Sequence, residues 1–175
     1  MLEVAVIGIK FHSEVAELIR HNCENIKTFE YNLNLCQYPE KSHDLYIITD
    51  RMCDGKIEPD IYINAVEFLK NIIESDDIII FNADDENLLR HLEGLKGNFL
   101  AYGYNTRASV TLSGIDEDIS TGYINYVCSL QHSFSTMNNK VIEPCEVKVT
   151  LQNSGFDPHS IMAFISFLIA INIIN

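Results

Sequence analysis

The chain has 175 residues, 47% of them hydrophobic and 21% charged, which suits one folded domain with a sizeable core. Asp and Glu number 25 against 12 Lys and Arg, a formal net charge of −13. A field of that sign disfavours phosphate backbones and anionic membranes, so neither nucleic acid nor a membrane surface is an expected partner.

The first residues carry no basic segment ahead of the apolar run, so Glu3–Ile9 reads as a strand rather than part of a signal peptide. It meets Gly8, then Lys10, Phe11, His12 and Ser13, then a helical spacing of Val15, Leu18 and Ile19. Ser13 is the expected N-cap, with Glu14 in the first turn. Strand, glycine turn and helix open a nucleotide-binding α/β domain, yet the phosphate loop G-x-x-x-x-G-K-[S/T] is absent. Cradling a phosphate needs small residues, so that backbone N–H groups converge, and a Lys for charge. Phe11 and His12 supply neither, and an ordinary β–α turn is the simpler reading.

Ile26–Leu35 alternates weakly as a second strand, and Asp44–Thr49 is an apolar strand ending at Thr49, Asp50 and Arg51. Asp50 and Asp54 offer two carboxylates to a Mg²⁺ ion, although a solvated acidic loop accounts for them better. Pro59 starts a helix with Ile61, Ala65, Phe68, Leu69 and Ile72 on one side and a Glu67–Lys70 surface pair. The stretch Ile78–Asp85 organises the whole chain: four β-branched and aromatic residues stop abruptly at Asn82-Ala83-Asp84-Asp85. Such a run reads as a buried parallel strand, and ligands of open α/β sheets lie beyond the carboxyl ends of such strands. Asn82, Asp84 and Asp85 therefore mark the candidate site, while Asp84 or Asp85 can equally cap a helix over Glu86–Leu95.

Gly97–Tyr104 is a further short strand. After Arg107 the pattern alternates over Ala108–Leu112, Thr121–Leu130 and Glu146–Gln152, separated by Gly114–Ser120 and Asn138–Pro144, as an antiparallel ribbon would. Gly155 and Pro158 punctuate, and Ser160–Asn175 is a buried helix whose apolar part is too short to span a bilayer. The expected fold is one α/β domain over residues 1–175. It has a mostly parallel Rossmann-like sheet flanked by helices, an antiparallel ribbon in the C-terminal half and a final buried helix.

Cys23, Cys36, Cys53, Cys128 and Cys145 are scattered without a C-x-x-C pair, which points to reduced thiols in a cytoplasmic protein. The six histidines lack metal-ligand spacing, and Cys128 with His132 would share a face only in a helix. No His metal site and no Cys–His nucleophile pair is expected.

This order of elements around Asn82-Ala83-Asp84-Asp85 resembles the central ATP-binding domain of the Mur ligases and their folylpolyglutamate and cyanophycin synthetase relatives. The match is strongest over Ile78–Ile115. Thr49–Gly55 lies where that family carries T-N-x-x-x-D-H, and Gly155–Ile174 resembles its G-x-x-N-x-x-N-A-x-A-A helix in hydrophobicity but not in polar positions. The resemblance implies a chemistry in which ATP activates an acid as an acyl phosphate that an amine then attacks. That requires a phosphate loop, Mg²⁺ ligands and, often, a carbamylated Lys that bridges to the metal.

The family's G-T-N-G-K-T-T falls on Gly8 to Glu14, where Phe11 replaces the second Gly and His12 the Lys. Ser13 keeps the hydroxyl, and Glu14 would repel phosphate. Thr49 and Asp54 match their motif, while Asp50 replaces its Asn and Gly55 its metal-binding His. Val66 stands in the place of the bridging Lys, in Tyr62-Ile63-Asn64-Ala65-Val66. The segment before Thr49 is shorter than the family's, and the N-terminal UDP-substrate domain and the C-terminal ligase domain are not in the sequence.

The resemblance thus implies a non-catalytic binding or regulatory module in the cytoplasm, a pseudoenzyme with no resident cofactor or metal. A residual nucleotide pocket would draw on Gly8, His12, Ser13, Asn82 and Asp84, with Asn82 in the adenine-contacting position. Its partner would be an unidentified small molecule or protein. Two alternatives stay open. One is an ATP- and Mg²⁺-dependent acid–amine ligase, or a subunit of one, in cell-wall peptide or polyglutamate synthesis, using His12, Ser13 and Asp54. The other is an unrelated doubly wound domain.

Overall fold

Continuous runs of β-branched and aromatic residues become strands covered on both faces. The computed structural model describes residues 1–8, 11–35, 37–49, 67, 69–92, 94–152 and 155–173. Such runs give β1 (Leu2–Gly8), β3 (Leu45–Ile48), β4 (Ile78–Asn82) and β5 (Asn98–Tyr102), while β2 (Ile26–Asn32) alternates and has no fully buried residue. After them come β6 (Val110–Asp118), β7 (Tyr123–Leu130), the short pair β8 (Phe134–Ser135) and β9 (Val141–Ile142), and β10 (Cys145–Gln152). The helices α1 (His12–Asn22), α2 (Glu86–Leu92) and α3 (Pro158–Ala170) accompany them, and residues 67 and 69–72 are also helical.

One sheet runs β10-β7-β6-β5-β4-β3-β1-β2. From β2 to β5 every pairing is parallel, and β5 meets β6 in parallel at the single pair Tyr102–Val110. Beyond it β6, β7 and β10 pair antiparallel. The expected α/β architecture, with its ribbon and closing helix, is the one observed.

Side chains alternate across the sheet and make two cores. Val4, Val6, Ile47, Ile78 and Ile80 face α1 and α3, whereas Ala5, Ile7, Tyr46, Ile79 and Phe81 face α2 and Leu69. All residues of α3 from His159 to Ala170 are buried, as an all-round apolar helix must be. No helix among the described residues is long and apolar enough to cross a membrane.

Several boundaries differ from expectation, each for a local reason. α1 starts at His12, capped by the backbone of Phe11 without a side-chain bond, so Ser13 lies inside the helix instead of capping it. Burial of His12 with Val15, Ala16 and Ile19 extends the apolar stripe back by one turn. α2 stops at Leu92, short of Leu95, and Gly94 just beyond takes a φ of +88°. The expected separator Gly114–Ser120 is mostly strand, because a bulge between Leu112 and Gly114 lets β6 continue to Asp118. Asn138–Pro144 holds β9, which pairs with β8. α3 begins two residues early because Asp157 accepts from the His159 backbone N–H and Pro158 follows at the first helical position. The features placed on Ile9, Lys10, Asp50, Arg51, Asp54, Gly55 and the Pro59–Val66 segment lie outside the described residues.

Candidate functional site

The carboxyl ends of β1, β3, β4 and β5 converge on one edge, where the N-termini of α1 and α3 also arrive. Asp85 closes this edge as the cap of α2, accepting from the Leu88 N–H at 3.0 Å. The capping role left open between two acids thus falls to Asp85.

Asp84 reaches further. Its carboxylate accepts from the backbone N–H of Tyr104 at 3.0 Å and of Asn105 at 2.9 Å, and from His159 Nε2 at 2.9 Å. Burial pushes this carboxyl up, but the hydrogen bonds from Tyr104, His159 and Asn105 outweigh it and hold it below its ordinary value. Gly103, at φ +151°, is what lets the β5 loop fold over Asp84, since a Cβ there would stand 2.8 Å from Oδ1. The Asn105 side-chain amide also donates to the Ala83 carbonyl. The Tyr104 and His159 rings meet in a T-shaped contact, with centroids 5.2 Å apart.

His159 joins this cluster to α3. Its Nδ1 lies 3.2 Å from Asp157 Oδ1, so each ring nitrogen faces a carboxylate. The first turn of α3 is tied to α1 as well, because Glu14 Oε2 accepts from the Asp157 N–H at 3.1 Å and from Ser160 Oγ at 2.8 Å. Four elements therefore meet in one polar junction.

Of the expected site residues, Gly8 ends β1, and Ser13 Oγ lies 3.4 Å from His12 Nε2. Asn82 is fully buried; its Oδ1 accepts from the Asp84 N–H at 2.9 Å. Among the described residues its Nδ2 has no partner, nor does Nδ1 of the buried His12. Two orphaned polar atoms at one sheet edge are costly unless something else engages them.

Glu14, Tyr104, Asn105, Asp157, His159 and Ser160 were not singled out as site residues from the sequence. Asp157-Pro158 carried a readable cap signature, but nothing local told that His159 would face Asp84. The Cys128 thiol is buried and pushed up to about 12, which leaves it inert as a nucleophile. Among the described residues no cluster of His, Cys, Asp and Glu could hold a metal ion.

No protein-family profile matches the chain, and no curated protein matches it either. Solved structures do. The chain is similar to the UDP-N-acetylmuramoylalanyl-D-glutamyl-2,6-diaminopimelate–D-alanyl-D-alanyl ligase of Acinetobacter baumannii, with a TM-score of 0.58 and 11% identity over 98% of this chain. It is similar to MurF of the same organism, with a TM-score of 0.56 and 10% identity over 98% of this chain. It is also similar to the murein peptide ligase Mpl of Psychrobacter arcticus, with a TM-score of 0.62 and 11% identity over 98% of this chain. The fold is Mur ligase-like. The chain spans 43%, 43% and 44% of the length of these three proteins. At such identities the likeness is one of backbone architecture, and the chemistry has to be argued from the junction itself.

Proposed function

We propose that this Mur ligase-like domain binds a ligand without turning it over and serves as a cytoplasmic binding or regulatory module. The observation that carries this reading is the environment of the α1 N-terminus. A helix N-terminus after a parallel strand favours an anionic ligand. Here Glu14 brings its own carboxylate to that turn and gives it to Asp157 and Ser160, while the buried His12 stands where the resemblance puts the phosphate-binding Lys. Repulsion from Glu14 argues against a triphosphate, and no Lys of the described residues replaces the charge.

The Nδ2 of Asn82, without a partner among the described residues, supports a residual pocket for the neutral part of a nucleotide or another small hydrogen-bonding molecule, which would draw also on Gly8, His12, Ser13 and Asp84. Thermal unfolding with millimolar adenosine, ADP and Mg²⁺-ATP tests this, because a ligand of the native state raises the midpoint. Adenosine is expected to raise it at least as much as Mg²⁺-ATP, and Asn82→Leu is expected to remove the effect. A larger rise with Mg²⁺-ATP would overturn the reading.

The ligase-like architecture supports a second reading, an ATP-dependent acid–amine ligase or a subunit of one. ADP release with an acid–amine pair, lost in His12→Ala, would establish it instead.

A further inference from the structure

β2 is the last strand of the sheet, and among the described residues its outer edge is occupied at one rung only. There the Asn32 N–H donates to Gln37 Oε1 at 3.2 Å, and the Gln37 N–H donates to the Asn32 carbonyl at 3.2 Å. Gln37 thus imitates one residue of an added strand. Main-chain direction alternates along a strand, so Thr28 and Glu30 present their N–H and C=O groups outward as Asn32 does.

A cleft of about 670 Å³ opens beside these groups, between β2 and the returning segment that carries Gln37, Tyr38 and Glu40. Its aromatic wall is held in place: the Tyr31 hydroxyl and Nε2 of the buried His43 share a hydrogen bond of 2.9 Å, and His43 packs on Phe29 and Tyr46. Cations of this chain are already committed here. Lys27 and Lys41 lie over the Phe29 ring, Lys41 also pairs with Glu3, and Arg20 pairs with Glu30 at 2.7 Å. Glu40 is exposed and makes no ion pair among the described residues.

We propose that this cleft receives an extended segment of a partner protein, which adds as a strand along β2 and alternates basic with apolar side chains. Main-chain rungs at Thr28 and Glu30 give the affinity, and the cleft gives the selection. An apolar side chain of the segment meets Tyr31 and Tyr38, and a basic one meets Glu40. The basic choice follows from charge, both the unpaired Glu40 and the net −13 of the chain. That same charge disfavours a second copy as the occupant. This proposal is independent of any nucleotide binding at the N-terminus of α1, since no residue of α1 lines the cleft.

The test uses the full chain, ¹⁵N-labelled, with capped heptapeptides, the length of β2, that alternate Lys or Arg with Val, Ile, Phe or Tyr. Saturable shifts of the Thr28, Glu30 and Tyr31 amides are expected. N-methylation of alternate peptide nitrogens is expected to weaken binding at least about tenfold, because it removes the rungs and keeps the charge. Glu40→Lys, a surface change, is expected to weaken it about fivefold. No saturation by any peptide up to about 1 mM would overturn the proposal. So would indifference to N-methylation, shifts mapping elsewhere, or equal binding of peptides with Glu in place of Lys. A dimer of the chain alone that Glu30→Pro disperses would make the second copy the occupant and overturn it too.

Discussion

His159 Nε2 lies 2.9 Å from Asp84 Oδ2 across 75 residues of sequence, and the two side chains are only 11% and 12% exposed. This contact fastens the first turn of α3 to the end of β4. Through the other bonds of Asp84 it also fixes the loop after β5. A polar group buried to this degree costs more when its partner is removed than the pair contributes when intact.

His159→Ala is therefore expected to destabilise the domain by about 1–3 kcal/mol, read from the urea midpoint at neutral pH. Combined with Asp84→Ala in a double-mutant cycle, the pair should show a coupling of about 1–2 kcal/mol. Additive single losses would mean that the contact is geometric only, and that α3 is held by its apolar packing.

Acid stability follows from the lowered carboxyl of Asp84. A carboxyl whose folded value lies below its ordinary 3.8 adds stability that is fully present above that ordinary value. The contribution is lost as pH falls through the folded value. The stability gap between the wild-type chain and Asp84→Asn should hence be widest above about pH 5 and narrow steadily below about pH 4. Guanidinium titrations at several pH values check it, and a gap constant down to pH 2.5 would refute the assignment.

Much of this arrangement is legible in the sequence. The run Ile78–Phe81 had to be a covered parallel strand, and its polar end had to lie at the sheet's carboxyl edge, because apolar runs of that length are buried on both faces. The alternation after Arg107 likewise marked a ribbon covered on one face. What stayed hidden was tertiary. Ser13 looks like an N-cap and Glu14 like an ordinary first-turn acid, but Glu14 turns instead to Asp157 and Ser160, more than 140 positions away. His159 reads locally as one polar residue at the start of an apolar helix, and only the β5 loop, bent over Asp84 at Gly103, gives its imidazole a partner. The bulge that carries β6 through Gly114 was equally invisible, since a glycine in an alternating run also fits a turn.

His43 makes the last prediction. It is buried among Phe29, Tyr31 and Tyr46, shares a hydrogen bond with the Tyr31 hydroxyl, and has no partner at Nδ1 among the described residues. Burial first, and then the nearby charge of Lys41, holds it below the ordinary 6.5 in the folded chain. The unfolded chain protonates this group near pH 6.5 while the folded chain resists. Its contribution to stability is accordingly present above that pH and is lost as pH falls from there toward the folded value. His43→Leu removes the titration and keeps the apolar environment. Between about pH 7.5 and pH 5.5 the wild-type chain should lose stability more steeply than the variant, with every other histidine common to both and cancelling in the difference. Urea midpoints across that interval decide it. Parallel profiles would mean that the folded protein takes up the proton at His43 as readily as the unfolded chain, and that the aromatic box around it admits water.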